Sequence, residues 1–132
     1  VVSIHADGGP AGGHGFHVNY SNPPVNAVQG EPTLRFAKTM RDSLQAAGLT
    51  PATYIGTGGL YGRSDLAGLN LAQHPKVLVE LGNMKNAQDS AMMTSPEGRS
   101  KYAQAVVQGI VAYLSGTAPA AAPAPEAAPA GG

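Results

Sequence analysis

A single carboxylate inside an apolar run constrains the fold of this chain more than any other feature of the sequence. In residues 77–82 (VLVELG) four apolar side chains enclose Glu80. A run of this length between Pro75 and a glycine is typical of a buried strand. Because a buried carboxylate is costly without a partner, we expect Glu80 to serve a functional site or to form a structural ion pair. The arginines available for such an ion pair are Arg35, Arg41, Arg63 and Arg99.

A second apolar run, at the start of the chain, ends on a histidine. Val1-Val-Ser-Ile precedes His5, and Asp7 follows two residues later. A histidine at a strand end is held rigidly, as a metal ligand must be, and its second ring nitrogen then needs an acceptor. The residues alone are equally compatible with an ordinary core or surface histidine. Because strand character begins at the first residue, we expect upstream sequence, either lost or bound as a second chain.

Composition excludes several classes of function. The chain has 132 residues, with 8 basic and 8 acidic side chains and no cysteine. This length predicts one domain. Without a basic patch there is no electrostatic basis for nucleic-acid binding. Without cysteine, any metal would have to be held by histidine and carboxylate ligands. The sequence has no apolar run of membrane-spanning length and no visible signal peptide.

Alternating polarity predicts another strand, over residues 15–21. Its apolar face would carry Phe16, Val18 and Tyr20, and its polar face His17, Asn19 and Ser21. This pattern is typical of a half-buried strand, and we place it near a sheet edge. His17, like His14, is then expected to be a solvent-facing polar residue, with contact to a substrate as the alternative.

Helices are predicted between these strands and after them. One begins at Pro32 and stops at Gly48, a short one follows a capping box of Asn86 and Asp89, and the last covers residues 96–115. The apolar stripe of the last helix comprises Tyr102, Ala103, Val106, Val107, Ile110, Tyr113 and Leu114. Residues 53–56 are a possible short strand, and residues 65–72 a helical turn or an extended edge.

Strands that alternate with helices predict an α/β domain with a mixed sheet over residues 1–116. Residues 117–132 are almost entirely alanine, proline and glycine. Such a segment cannot bury enough apolar surface to offset its ordering entropy, so we expect a disordered tail.

Three segments together resemble one family. Residues 3–7 (SIHAD), 15–18 (GFHV) and 77–86 (VLVELGNMKN) resemble, in this order and spacing, the zinc-dependent N-acetylmuramoyl-L-alanine amidases of the Amidase_3 type. The similarity extends over residues 1–115, which would be the C-terminal portion of the catalytic domain. Residues 65–70 and the Gly82-Asn83 pair look most like the actinobacterial members.

The resemblance implies a fold, a cofactor and site residues. The fold would be a mixed, mostly parallel sheet flanked by helices. The family's zinc is held by a histidine, a glutamate and a second histidine, and this second histidine corresponds to His5. The family's catalytic glutamate corresponds to Glu80. The other two ligands lie upstream in the family and have no counterpart here. Asp7 and Asn83 are candidates for substrate contacts.

The implied activity is hydrolysis of the amide between the lactyl group of N-acetylmuramic acid and L-alanine of the stem peptide, with Zn²⁺. The implied partners are peptidoglycan or muropeptides, together with an N-terminal segment of the same protein as a second chain. The location would be extracytoplasmic. Two alternatives stay open, namely a zinc-less peptidoglycan-binding or regulatory relative and a zinc peptidase acting on stem peptides.

Overall fold

The computed structural model describes residues 1–118, so nearly all of the predicted tail (117–132) lies outside the described residues. The strands are β1 (Val2–Asp7), β2 (His17–Ser21), β3 (Leu60–Arg63) and β4 (Val77–Asn83). The helices are α1 (Glu31–Ala46), α2 (Ala67–Asn70), α3 (Ala87–Thr94) and α4 (Pro96–Ser115), and a short 3-10 helix covers Ala27–Gln29.

The four strands form one sheet in the order β1-β4-β2-β3. β1 and β4 are parallel, β2 and β4 antiparallel, and β2 and β3 parallel. The predicted fold class, a mixed and mostly parallel sheet flanked by helices, is confirmed. β2, which we placed near a sheet edge, is the second strand from the edge, because β3 pairs with its outer side.

One face of the sheet forms the hydrophobic core. Val18 and Val79 are cross-strand partners and are completely buried. Helices α1 and α4 cover this face with Phe36, Met40 and Val106. Because successive side chains of a strand point to opposite faces, the neighbours of these valines, His17 and Glu80, project to the other side. The core therefore fixes which face of the sheet carries the polar groups.

Helix α4 packs on α1 through small residues, which the predicted stripe did not anticipate. Ala105, Gly109 and Ala112 are buried, whereas Ala103, Val107 and Leu114 from the predicted stripe are exposed. A Cβ added at Gly109 would lie 2.7 Å from Sδ of Met40. The two helices approach so closely at Gly109 that small residues line this part of their contact, while Phe36 and Tyr113 stack at a centroid distance of 4.2 Å elsewhere along it.

Residues 53–56 do not form the possible strand. The backbone bends repeatedly there, and Gly56 takes a φ of 68°. The strand of this region is instead β3, four residues further on. Residues 65–72 contain the short helix α2, in agreement with the predicted helical turn.

Candidate active site

Three polar side chains lie in one row across the sheet. In the β1–β4 ladder His5 is the partner of Glu80, and in the β2–β4 ladder His17 is the partner of the same glutamate. Residues paired in this way project to the same face. Glu80, on the central strand, therefore lies between the two histidines, on the face opposite the core.

Glu80 and His5 face each other at the outer side of this row. Nδ1 of His5 and Oε1 of Glu80 are 4.0 Å apart, and the two side chains are 56% and 15% exposed. Within residues 1–118 no arginine lies within ion-pair distance of Glu80, so a structural arginine–glutamate pair does not explain this carboxylate. The imidazole is accessible from solvent, and the carboxylate lies mostly beneath the surface.

The surroundings of Glu80 shift the pKa of its carboxyl group upward. Burial raises the pKa of this carboxyl above its ordinary value, and the nearby carboxylate of Asp7 raises it further. His5 and Arg63 act in the opposite direction, with smaller effects on the same pKa. A carboxyl group that accepts and releases a proton more easily near neutral pH is suited to general acid–base chemistry.

A glycine-rich loop, residues 8–14, borders the site and is held by Asn83. Oδ1 of Asn83 accepts hydrogen bonds from the backbone N–H groups of Gly9 and Lys85. Its Nδ2 donates to the carbonyls of Pro10 and Gly13, each at 2.7 Å. The buried amide is therefore committed to shaping the loop. Its predicted contact with substrate stays a prediction.

Asp89 connects this region to α3. Its Oδ2 accepts hydrogen bonds from the N–H groups of Gly15 and Asn83, both at 2.8 Å. Only half of the predicted capping box is present. The side chain of Asn86 caps α3, but the carboxylate of Asp89 does not accept a hydrogen bond from the Asn86 N–H. That N–H donates to the carbonyl of Asn83 instead, which leaves the carboxylate free to join β4 to the start of β2.

Tyr54 closes the other side of the loop. Its hydroxyl donates to Oδ2 of Asp7 at 2.6 Å, while Oδ1 accepts from the Gly8 N–H at 2.8 Å. A Cβ at Gly9 or Gly13 would lie within 2.6 Å of Tyr54 atoms, so only glycine permits this contact. Tyr54 was not among the residues predicted for the site, and only the density of glycines in residues 8–15 indicated a close contact. A substrate contact of Asp7 stays a prediction.

His17 is buried, contrary to the expectation that it faces solvent. Its exposure is 2%, because the rings of Tyr54 and Tyr61 meet it edge-on at centroid distances of 6.3 and 6.0 Å. Burial lowers the pKa of His17, so the imidazole is neutral at physiological pH. The alternating pattern showed which residues share a face but not that both faces are covered.

Comparison with known proteins identifies the family to which this chain belongs. Residues 1–112 match the N-acetylmuramoyl-L-alanine amidase family. The chain belongs to this family. It is 66% identical over 115 residues to the N-acetylmuramoyl-L-alanine amidase Rv3717 of Mycobacterium tuberculosis, a match that covers 87% of this chain and 48% of that protein.

Solved amidase structures share the fold. The crystal structure of the N-acetylmuramyl-L-alanine amidase Ami1 from Mycobacterium smegmatis has a TM-score of 0.86 and 66% identity, covering 88% of this chain and 54% of the other. The CwlD amidase of Clostridioides difficile, solved in complex with the GerS lipoprotein, has a TM-score of 0.72 at 22% identity, over 86% and 53% of the two chains. The chain thus spans about half the length of these relatives.

The described residues do not by themselves form a metal site. Residues 1–118 contain no cluster of three or more histidine, aspartate or glutamate side chains that could hold a metal ion. The exposed imidazole of His5, beside a carboxylate, could provide one metal ligand. A catalytic zinc site takes three protein ligands. No helix among residues 1–118 has the length and hydropathy to span a membrane.

Proposed function

We propose that this chain forms the catalytic part of a peptidoglycan amidase. The reaction is hydrolysis of the amide between the lactyl group of N-acetylmuramic acid and L-alanine of the stem peptide. The observation that carries the proposal is the pairing of Glu80 with His5 on adjacent strands, at the positions that match the family's two motifs. We take residues 1–116 as the catalytic portion.

Glu80 acts as the proton-transfer group. Its carboxylate takes a proton from the attacking water and later delivers it to the departing nitrogen of L-alanine, so that the amine leaves uncharged. The same residue serves as base and then as acid, which requires a pKa nearer to neutral than that of an exposed glutamate. The burial that raises the pKa of Glu80 supports this role.

His5 is proposed as one ligand of a Zn²⁺ ion, with its exposed imidazole turned toward Glu80. The other ligands would come from outside residues 1–118, supplied by an N-terminal segment of the same protein as a second chain. When bound, zinc would polarise the scissile carbonyl and lower the pKa of water. Action on peptidoglycan or muropeptides places the protein outside the cytoplasm.

Digestion of purified muropeptides by the complete holoenzyme tests the proposal. New free amino groups on L-alanine, identified by mass spectrometry, are the expected product. Release of D-alanine would instead identify a zinc peptidase acting on stem peptides. Binding to peptidoglycan without any cleavage, by a protein that purifies without zinc and stays inactive when zinc is added, would identify a binding or regulatory relative.

A further inference from the structure

Three buried polar atoms on the site face have no hydrogen-bond partner within residues 1–118. They are Nδ1 of His17, Oδ1 of Asn19 and Oε2 of Glu80. His17 and Asn19 are two residues apart on β2, so their side chains share a face, and Glu80 is the cross-strand partner of His17. Unpartnered buried polar atoms are rare in folded proteins, and three on adjacent positions of one sheet face indicate a common cause.

The two oxygens of Glu80 have different surroundings. Oε1 lies 4.0 Å from Nδ1 of His5, on the side of β1. Oε2, which we call the inner oxygen, is buried. Because β2 adjoins β4 on the side away from β1, we infer that the inner oxygen is on the side of His17 and Asn19.

The hydrogen-bonding capacities of these atoms match a single water molecule. An ionised carboxylate oxygen and an amide oxygen can only accept, while a neutral imidazole that carries its proton on Nδ1 donates. A water molecule that donates to Oε2 of Glu80 and to Oδ1 of Asn19, and accepts from Nδ1 of His17, satisfies all three. Buried waters typically make about three such hydrogen bonds. Asn19 is itself anchored, since its Nδ2 donates to the carbonyl of Leu78.

We propose that His17 is a positioning residue that holds the inner oxygen of Glu80 through one shared water molecule. This inference rests on the amidase reaction proposed above. With the inner oxygen fixed, Oε1 is kept facing His5 and the substrate, where the proton is transferred. The ring of His17 is suited to this task because Tyr54 and Tyr61 hold it edge-on.

Three substitutions at His17 test the proposal in the complete holoenzyme. In His17→Asn the side-chain NH2 group lies near the position of Nδ1 and can still donate to the water. In His17→Gln this group lies near the position of Nε2, and in His17→Leu there is no donor. We expect His17→Leu and His17→Gln to lower kcat by about 10- to 100-fold at unchanged KM, the scale of a misplaced catalytic group. His17→Asn should keep kcat within about threefold of the wild type.

Ser21→Ala is the matched control. Ser21 lies on the same strand and face, is buried, and accepts a hydrogen bond from Asn70 at 2.8 Å. It is remote from the Glu80 row, so this variant should lose thermal stability without a change in kcat. If all three His17 variants lose only stability, or if asparagine is no better than glutamine, the positioning role is wrong.

Two further observations keep the test decisive. If His17→Leu does not fold, the comparison of asparagine with glutamine decides alone. A crystal structure of the holoenzyme should show a water within hydrogen-bond distance of both His17 and Glu80, and a direct contact between them would overturn the proposal. A wild-type enzyme that releases no L-alanine amino groups would refute the proposed function itself, whatever the variants do.

Discussion

At the scale of single residues, Glu80 is the group on which the proposed chemistry depends. Glu80→Ala removes the only proposed proton-transfer group and should abolish release of L-alanine amino groups. Because His5 and any further ligands are untouched, zinc should remain bound in a metal analysis of the purified variant. Retained turnover would remove Glu80 from the mechanism, and loss of zinc together with activity would make it a ligand instead.

Tyr54 provides a second residue-scale prediction. Tyr54→Phe removes the hydrogen bond to Asp7 and leaves the ring between Gly9 and Gly13 in place. A hydrogen bond to a charged group contributes about 1.5 kcal/mol, so the free energy of unfolding in urea should fall by that order. Tyr61→Phe is the control, because its hydroxyl makes no side-chain hydrogen bond within residues 1–118 and its ring also borders His17. Equal losses for both variants would contradict the assignment.

The burial of His17 predicts a pH dependence of stability. Since burial lowers its pKa below the ordinary value of 6.5, the unfolded chain binds a proton more readily than the folded chain as the pH falls. The contribution of neutral His17 to the free energy of unfolding should be fully present above pH 6.5. It should be lost as the pH falls through the lowered pKa. The weaker effects of Asp7 and Arg63 on this pKa oppose each other.

Urea midpoints measured at pH values from about 7.5 to 5 should show this decline in the wild type. The decline should be smaller in His17→Asn, which has no group titrating at that position. Identical slopes for the two proteins would mean that His17 is not buried in its neutral form.

At the scale of elements, Asp89 joins three of them, since it lies on α3 and accepts from residues at the end of β4 and before β2. Asp89→Ala leaves two buried N–H groups without an acceptor and should cost about 3 kcal/mol of unfolding free energy. Asp42→Ala is the control, because Asp42 is exposed and pairs only with its neighbour Arg41. Its loss should be below about 1 kcal/mol. Similar losses for the two variants would show that Asp89 does not connect these elements.

The elements and the site residues differed in how far local sequence could predict them. Caps and periodicity located α1, α3 and α4, and apolar runs located β1 and β4, because these depend on neighbouring residues. His5 and Glu80 could be chosen as candidates for the same reason, as each ends or interrupts a run. The burial of His17 depends on β3 and Tyr54, which lie about 40 residues away, and no local pattern carries that information.

At the scale of the whole molecule, an apolar surface follows the outer side of α4 and the edge of β1. Val107, Val111 and Leu114 are 55%, 55% and 76% exposed, and Ile4 is 55% exposed. An apolar groove of about 440 Å³ adjoins this edge, lined in part by Ile4, Ala6, Leu81, Met93, Tyr102 and Val106. Exposed apolar side chains beside an apolar groove promote association.

Residues 1–118 produced alone should therefore self-associate in sedimentation velocity. Replacing both Val107 and Val111 by lysine should shift the distribution toward monomer. The control exchanges Gln104 and Gln108, which are exposed on the same helix, for lysine and adds the same charge without removing apolar surface. The prediction would be contradicted if the unsubstituted chain were monomeric. It would also be contradicted if the valine and glutamine replacements shifted the distribution equally.

The meeting of His5 with Glu80 depends on the register of a single ladder. Side chains alternate between faces, so a slip of one residue between β1 and β4 would carry the imidazole to the core side. The register is unbroken from Val2 to His5, and an irregularity separates it from Asp7. Loss or gain of one residue within positions 2–4 would therefore disable the site as fully as loss of the histidine. The register of β1 against β4 is therefore as much a requirement of the candidate site as the identity of its side chains.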